Sequence, residues 1–406
     1  MEAPQAVRGN GAPSFAGTTY AAALERARAL VPALRSRAAA AEAARTLPAE
    51  TLADLHASGL LRTMQPKRWG GMELDFVAYV DFPLEVARGC ASTGWNLANL
   101  QIHHWLLALY DERAQEEVWG ADPEALIASG VAFAQGSGRK VDGGFVVSGR
   151  WNFSSCVNIA GWNMLGVTVK DGERAADYRM CLLHQSQYEV IDDWKVLGMR
   201  STGSMTVVAK DVFVPEYRAL CMVDTRGGDR FPGARTNPNP AYQVAVNPLL
   251  AHGIGACAVG NAQAALELSI AAVQQRSTSY TAAKMRDFQA VQLRIGAAGA
   301  KIDAAQLVLR NDALAGQDFA NRRVIADAPA KLRFKRNLAY AVTLCTEAVD
   351  LLHAMAGANG IYESTPLERI FRDAHSMAGH FNFSFDAHAS AWGLAVLGGE
   401  VNNPTL

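Results

Sequence analysis

The sequence predicts an α+β protein in three consecutive parts: an all-α N-terminal domain, a central β-barrel or sandwich, and a C-terminal four-helix bundle. Three observations carry this. Apolar residues recur at helical spacing from about 20 to 126. β-branched, alternating segments fill 127–231. Long amphipathic stretches return from 242 to 406.

The elements follow in order. Residues 1–19 are rich in Gly, Pro and Ala and read as a mobile tail, with no basic-then-apolar start of a signal peptide. "AALERARALVPALRSRAAAAEAARTL" is an Ala-rich helix, and "ETLADLHASGLL" ends at a C-terminal stop, Gly59. "FVAYVDFPLEVARGC" and "WNLANLQIHHWLLALY" are further helices. In the β domain, Asp142-Gly143-Gly144 is a hairpin signal, and "KDGE" at 170–173 separates two strands. Residues 232–241, within a Gly/Pro/Asn-rich run, are a linker. "STPLERIF" opens a helix, with Thr365 as cap, Pro366 in the first turn and Glu368 closing a capping box.

Composition excludes several functions. The 406 residues carry 38 basic and 39 acidic side chains, a net charge of −1, which gives no footprint for nucleic acid or a membrane surface. Pro248–Val273 is apolar, but His252, Asn261, Gln263 and Glu267 and its many small residues make it a closely packed bundle helix. Six scattered cysteines without a CxxC read as reduced thiols in the cytoplasm. His375 and His380 share no helix face, roughly 140° apart on a regular helix, so no metal site is expected. "GIGACAVG", Gly253–Gly260, has the wrong spacing and no preceding strand for a nicotinamide site.

The order helix, sheet, helix, together with "LADLHASGLLRTMQPKRWGGMELD", "LGMRSTGSMTVVAKDVFVPE", "GNAQAALE" and "PLERIFRDA", resembles the acyl-CoA dehydrogenase superfamily from about Leu24 to Gly398. That resemblance implies a catalytic glutamate near 380–383 or at Leu250. Neither place holds a carboxylate, and neither Phe381 nor Leu250 can take a proton. "SGRWNFSSC" (148–156), "ASTGWNLANLQIHHW" (91–105) and "FRDAHSMAGH" are similar instead to the oxygenase components of two-component, group D flavin monooxygenases. Cys156 stands where that branch keeps a glycine.

This second resemblance implies an enzyme that takes reduced flavin (FMNH2 or FADH2) and O2 and hydroxylates an aromatic or polycyclic molecule through a flavin C4a-hydroperoxide. A separate NAD(P)H-dependent reductase would supply the flavin, and the chain would form a homotetramer. Carried onto this chain, His380 is the candidate base or proton holder. Ser154 or Ser155, the latter preferred, bonds flavin N5, while Trp151 and Phe153 pack on the ring. Arg276 meets a flavin phosphate across a subunit contact. Arg200, Thr202 and Ser204 border flavin or substrate. His103 is a catalytic candidate, and Trp95, His104 and His375 line the substrate pocket. Arg369 and Asp373 read as an ordinary helix ion pair. The alternatives are a dehydrogenase with a displaced base, an N-oxygenase of an amine or amino sugar, and a non-catalytic flavin-binding protein.

Overall fold

The computed structural model describes residues 12–170, 177–278, 280–401 and 406. The first part of the expected tail and the 171–173 part of the expected turn lie outside them. Residues 13–19 are not loose. Arg62 Nη1 donates to the Pro13 carbonyl at 2.6 Å, and Phe15 N–H to the Gly70 carbonyl at 2.8 Å. The Phe15 ring covers Gly59, which ends its helix at φ +74°; a Cβ there would lie 2.5 Å from that ring.

Five helices form the N-terminal domain: α1 (Tyr20–Ala44), α2 (Ala49–Ser58), α3 (Ala78–Ala87), α4 (Ala91–Leu107) and α5 (Glu112–Gln115). The β domain contains β1 (Ile127–Gly130), β2 (Gly136–Val141), β3 (Gly144–Ser154), β4 (Trp162–Val169), β5 (Asp177–His184), β6 (Glu189–Ile191), β7 (Met205–Pro215) and β8 (Ala219–Cys221). They form one eight-stranded sheet, β6-β7-β3-β2-β4-β5-β8, with β1 also paired to β4. The path is open between β6 and β8, so among the described residues this is a sheet, not a closed barrel. The expected hairpin joins β2 to β3, with Val141 opposite Gly144 and Gly143 at φ +71°.

The 232–241 segment is anchored. Asn237 Nδ2 donates to the Ala108 carbonyl at 2.8 Å and Gly233 N–H to the Leu109 carbonyl at 3.0 Å. It leads into α6 (Val246–Leu249), α7 (His252–Gln275), α8 (Gln289–Asn321), α9 (Ala328–Ala356), α10 (Pro366–Ala378) and α11 (Phe385–Val396). The glycine-rich start of α7 is a helix crossing. A Cβ on Gly253 would lie 2.4 Å from the Tyr79 ring, and one on Gly260 would lie 2.1 Å from the Leu84 carbonyl, both on α3. Helices α7 and α9 are long and apolar enough to cross a bilayer, yet 56% of each apolar window is buried in the protein. Thr365 and Pro366 begin α10 as expected, but Thr365 caps with no side-chain bond. Glu368 grips Arg372 instead of closing a capping box.

Candidate active site

Three regions of the chain converge around one hydroxyl group. Strand β3 ends at Phe153-Ser154 and runs into a turn at Ser155, with a register shift between Trp151 and Ser154. Phe153 (φ +63°), Cys156 (φ +64°) and, on the neighbouring loop, Met199 (φ +55°) are all non-glycine residues in the left-handed region. Each costs roughly 1–2 kcal/mol, and such strain collects at functional sites. Cys156 thus adopts the backbone conformation that a glycine would supply.

The turn separates the two serines. Ser154 is fully buried and its Oγ accepts from Asn163 Nδ2 at 3.0 Å, inside the β domain. Ser155 Oγ lies 2.8 Å from Ser204 Oγ, and Ser204 Oγ lies 2.7 Å from Thr202 Oγ1, which donates to the Met199 carbonyl at 2.9 Å. From α4, Trp95 Nε1 donates to Ser155 Oγ at 3.2 Å. The Trp95 ring meets His380 edge-on at 5.7 Å and Phe383 at 6.3 Å. Trp95, Ser155, Thr202, Ser204 and His380 therefore form one connected cluster. Phe153, 69% exposed, stands beside it with its ring edge-on to Trp194 at 6.0 Å.

His380 precedes a short turn, Phe381–Phe383, and its Nδ1 accepts from Asn382 N–H at 3.2 Å. The proton of the neutral ring therefore sits on Nε2. Burial lowers its pKa to about 4, so the ring is neutral at ordinary pH. In this state Nε2–H is a donor, and the ring's one lone pair is engaged at Nδ1 by Asn382 N–H.

Other expected site residues lie elsewhere. Trp151 is fully buried in the β domain, its Nε1 donating to the Gly166 carbonyl at 2.7 Å. A Cβ on Gly130, Gly136 or Gly149 would come within 2.8 Å of Trp151. These glycines make room for the indole, which is packed on the β domain rather than facing the Trp95–Ser155–His380 cluster. His103 and His104 are both buried. His103 Nδ1 lies 2.5 Å from the Ile127 carbonyl, and burial lowers its pKa to about 4. Eight residues, about 12 Å of helix rise, separate it from Trp95. His104 stacks on Trp119 and accepts its Nε1–H at 3.0 Å; burial lowers its pKa to about 3. Among the described residues no hydrogen bond joins either histidine to the cluster. His375 faces outward from α10, with Nε2 2.9 Å from Asp350. Arg276 ends α7 with Nη1 3.4 Å from the Ala356 carbonyl. It is 21 residues, about 32 Å of helix, beyond Gly255, which packs near Phe383.

The expected Arg369–Asp373 pair is replaced by a bond between domains. Asp373 Oδ1 accepts Met199 N–H at 2.6 Å, and Asn96 Nδ2 donates to the Ser201 carbonyl at 3.0 Å. Together they hold the loop that carries Thr202 and Ser204. Arg200 Nε is turned back to the Val196 carbonyl at 2.8 Å. Burial raises the Asp373 pKa to about 6. An acid raised above its free value of about 3.9 stabilises the fold by proton binding below about pH 3.9, and that contribution is lost as pH rises through about 6. Asp373→Asn keeps an acceptor for Met199. It is expected to melt higher than the parent at pH 7.5, by up to about 3 kcal/mol in stability, with the gap closing toward pH 4. Thermal melts across that range check it.

Fold and site together define a flavoprotein of the acyl-CoA dehydrogenase architecture. The family models for the acyl-CoA dehydrogenase N-terminal and C-terminal domains match residues 18–121 and 252–385. The chain is 36% identical to "Flavin-dependent monooxygenase, oxygenase subunit HsaA" of Mycobacterium tuberculosis, covering 86% of this chain and 88% of that one. It is 33% identical to the "FADH(2)-dependent resorcinol hydroxylase, oxygenase component" of a Rhizobium species, covering 90% and 91%. The solved structure of XiaF from a Streptomyces species, in complex with FADH2 and glycerol, superposes with a TM-score of 0.87 at 27% identity, covering 95% and 98%. The chain belongs to the oxygenase components of two-component flavin-dependent monooxygenases. It is an enzyme whose cofactor is reduced flavin, delivered by a separate flavin reductase.

Proposed function

We propose that this enzyme hydroxylates an aromatic or polycyclic small molecule, with reduced flavin held between the Phe153–Ser155 turn and His380. The observation that carries this is the direction of the hydroxyl chain. Thr202 O–H donates to a carbonyl, so Thr202 Oγ1 accepts from Ser204 and Ser204 accepts from Ser155. Ser155 thus has no free hydrogen. The Trp95 indole takes one of its lone pairs, and one remains. A reduced flavin carries a hydrogen at N5 and an oxidised one does not, so the remaining lone pair suits the reduced ring. When bound, that ring supplies the activation of dioxygen.

In this reading exposed Phe153 packs on the ring, while Trp95 and Phe383 keep water from its edge. His380 Nε2–H donates to the oxygen being transferred or to a substrate hydroxyl. The cluster contains no carboxylate, which disfavours thioester dehydrogenation. Arg276 serves a flavin phosphate only from a second copy of the chain, since it is remote from the cleft of its own. A homotetramer would bring it there. The exposed Leu293, Leu307 and Leu314 on α8 support such self-association. The six unpaired cysteines favour the cytoplasm.

The test supplies purified protein with chemically reduced FAD or FMN, ¹⁸O₂ and a panel of phenols. Products gaining one labelled oxygen are expected. Oxygen consumed only to hydrogen peroxide across the whole panel would overturn the reading.

A further inference from the structure

The far end of the hydroxyl chain decides what its near end offers to the flavin. Ser155, Thr202 and Ser204 are all buried. The Arg200–Thr202 turn is fixed from two sides: Cys156 N–H donates to the Thr202 carbonyl at 3.0 Å, and Asn96 Nδ2 to the Ser201 carbonyl at 3.0 Å. The three hydroxyl oxygens therefore keep their spacing whichever way their hydrogens point.

The chain ends on the Met199 carbonyl, which receives three donors. Thr202 Oγ1 lies at 2.9 Å, Thr202 N–H at 3.1 Å and Trp194 Nε1 at 3.3 Å. A carbonyl has two lone pairs. When Thr202 O–H turns away, the other two donors still satisfy it. One set of heavy atoms thus supports two polarities. In the first, Thr202 donates to Met199, Ser204 to Thr202 and Ser155 to Ser204, and Ser155 presents a lone pair. In the second, Thr202 donates to Ser204 and Ser204 to Ser155, and Ser155 presents its hydrogen. Trp95 Nε1 donates to Ser155 in both. The second polarity lacks one bond, that from Thr202 to Met199.

We propose that Thr202 sets the preference of this enzyme for reduced over oxidised flavin. This rests on the oxygenase reading and deepens it by naming the residue that decides which redox form stays bound. A reduced N5 carries a hydrogen and fits the first polarity. An oxidised N5 carries a lone pair and fits only the second, with the Thr202–Met199 bond lost. The net worth of one hydrogen bond corresponds to about two- to tenfold in affinity. The Ser155 lone pair thereby favours departure of the spent ring and entry of the next reduced one. Thr202 acts through Ser204 and Ser155 and is a positioning residue.

The test measures dissociation constants of reduced FAD and FMN under anaerobic conditions and of the oxidised forms, by ultrafiltration without substrate. The midpoint potential of the bound flavin is the second readout. The parent is expected to hold the reduced form more tightly. Thr202→Val removes the hydroxyl at nearly constant volume. Ser204 then turns to Ser155, whose hydrogen faces N5. The ratio of oxidised to reduced dissociation constants is expected to fall about tenfold, which lowers the two-electron potential of the bound flavin by about 30 mV. Ser204→Ala, which frees the Ser155 hydrogen directly, is expected to move both readouts the same way, and Thr202→Ser to keep the parent values. A threonine kept for packing alone would weaken both redox forms alike in Thr202→Val and leave the ratio and the potential where they were. A parent ratio near one, a ratio unchanged in either folded variant, or a Thr202→Ser that behaves like Thr202→Val would each overturn the proposal. Labelled-oxygen incorporation is scored separately, so loss of this inference leaves the oxygenase reading standing.

Discussion

His380→Ala is expected to consume oxygen at close to the parent rate while forming product about 10²-fold more slowly, the deficit appearing as hydrogen peroxide. The magnitude is the lower end of what a positioned proton-handling group contributes. The reason is the tautomer: with Nδ1 occupied by Asn382 N–H, the ring offers one directed hydrogen toward the cluster. Alanine removes that hydrogen and the ring edge against Trp95, leaving the Ser155 hydroxyl chain in place. The pH profile is a second readout. An ordinary imidazole inflects near pH 6.5. His380, at about 4, is neutral throughout pH 6–9 and imposes no inflection on the product-to-peroxide ratio there. An unchanged ratio in His380→Ala would remove this residue from the chemistry.

The second large effect falls on stability. Trp151→Ala is expected to cost about 3–5 kcal/mol, as loss of a fully buried aromatic does. Trp151→Phe would cost about 1–3 kcal/mol by stranding the Gly166 carbonyl. Denaturant melts measure both. At a temperature where Trp151→Phe is folded, its affinity for reduced flavin should equal that of the parent. Weakened flavin binding at full stability would return the indole to the cofactor.

These two residues show what the sequence made legible. The three-part architecture was readable because helical and alternating periodicities change sharply near 127 and 242. Gly59, the Asp142–Gly143 turn and Pro366 marked their boundaries through local backbone chemistry, which acts over a few residues. The positions of His380, Ser155, Thr202 and Ser204 followed from motif resemblance. Trp151 did not, because a strand with a register shift changes which side chains face which way, and two of the three glycines that house the indole, Gly130 and Gly136, are distant from it in sequence. His103 and His104 looked equivalent to a pocket histidine, yet each is engaged by a partner far along the chain. Asp373 was mistaken for half of a local ion pair because i, i+4 spacing cannot reveal a backbone N–H 174 residues away. The tautomer of His380 and the direction of the hydroxyl chain depend on bonds that no pattern of letters encodes.

The cysteines bear on durability. All six thiols have pKa values raised by burial. Peroxide attacks the thiolate, not the thiol. An oxygenase that misfires releases an oxidant at its own surface, and Cys156 stands next to Ser155. Held protonated, and in five of the six cases buried, these sulfurs are poor targets, so the catalyst is built to outlast its own wasted turnovers. A thiol count taken after prolonged uncoupled cycling should equal the count before it.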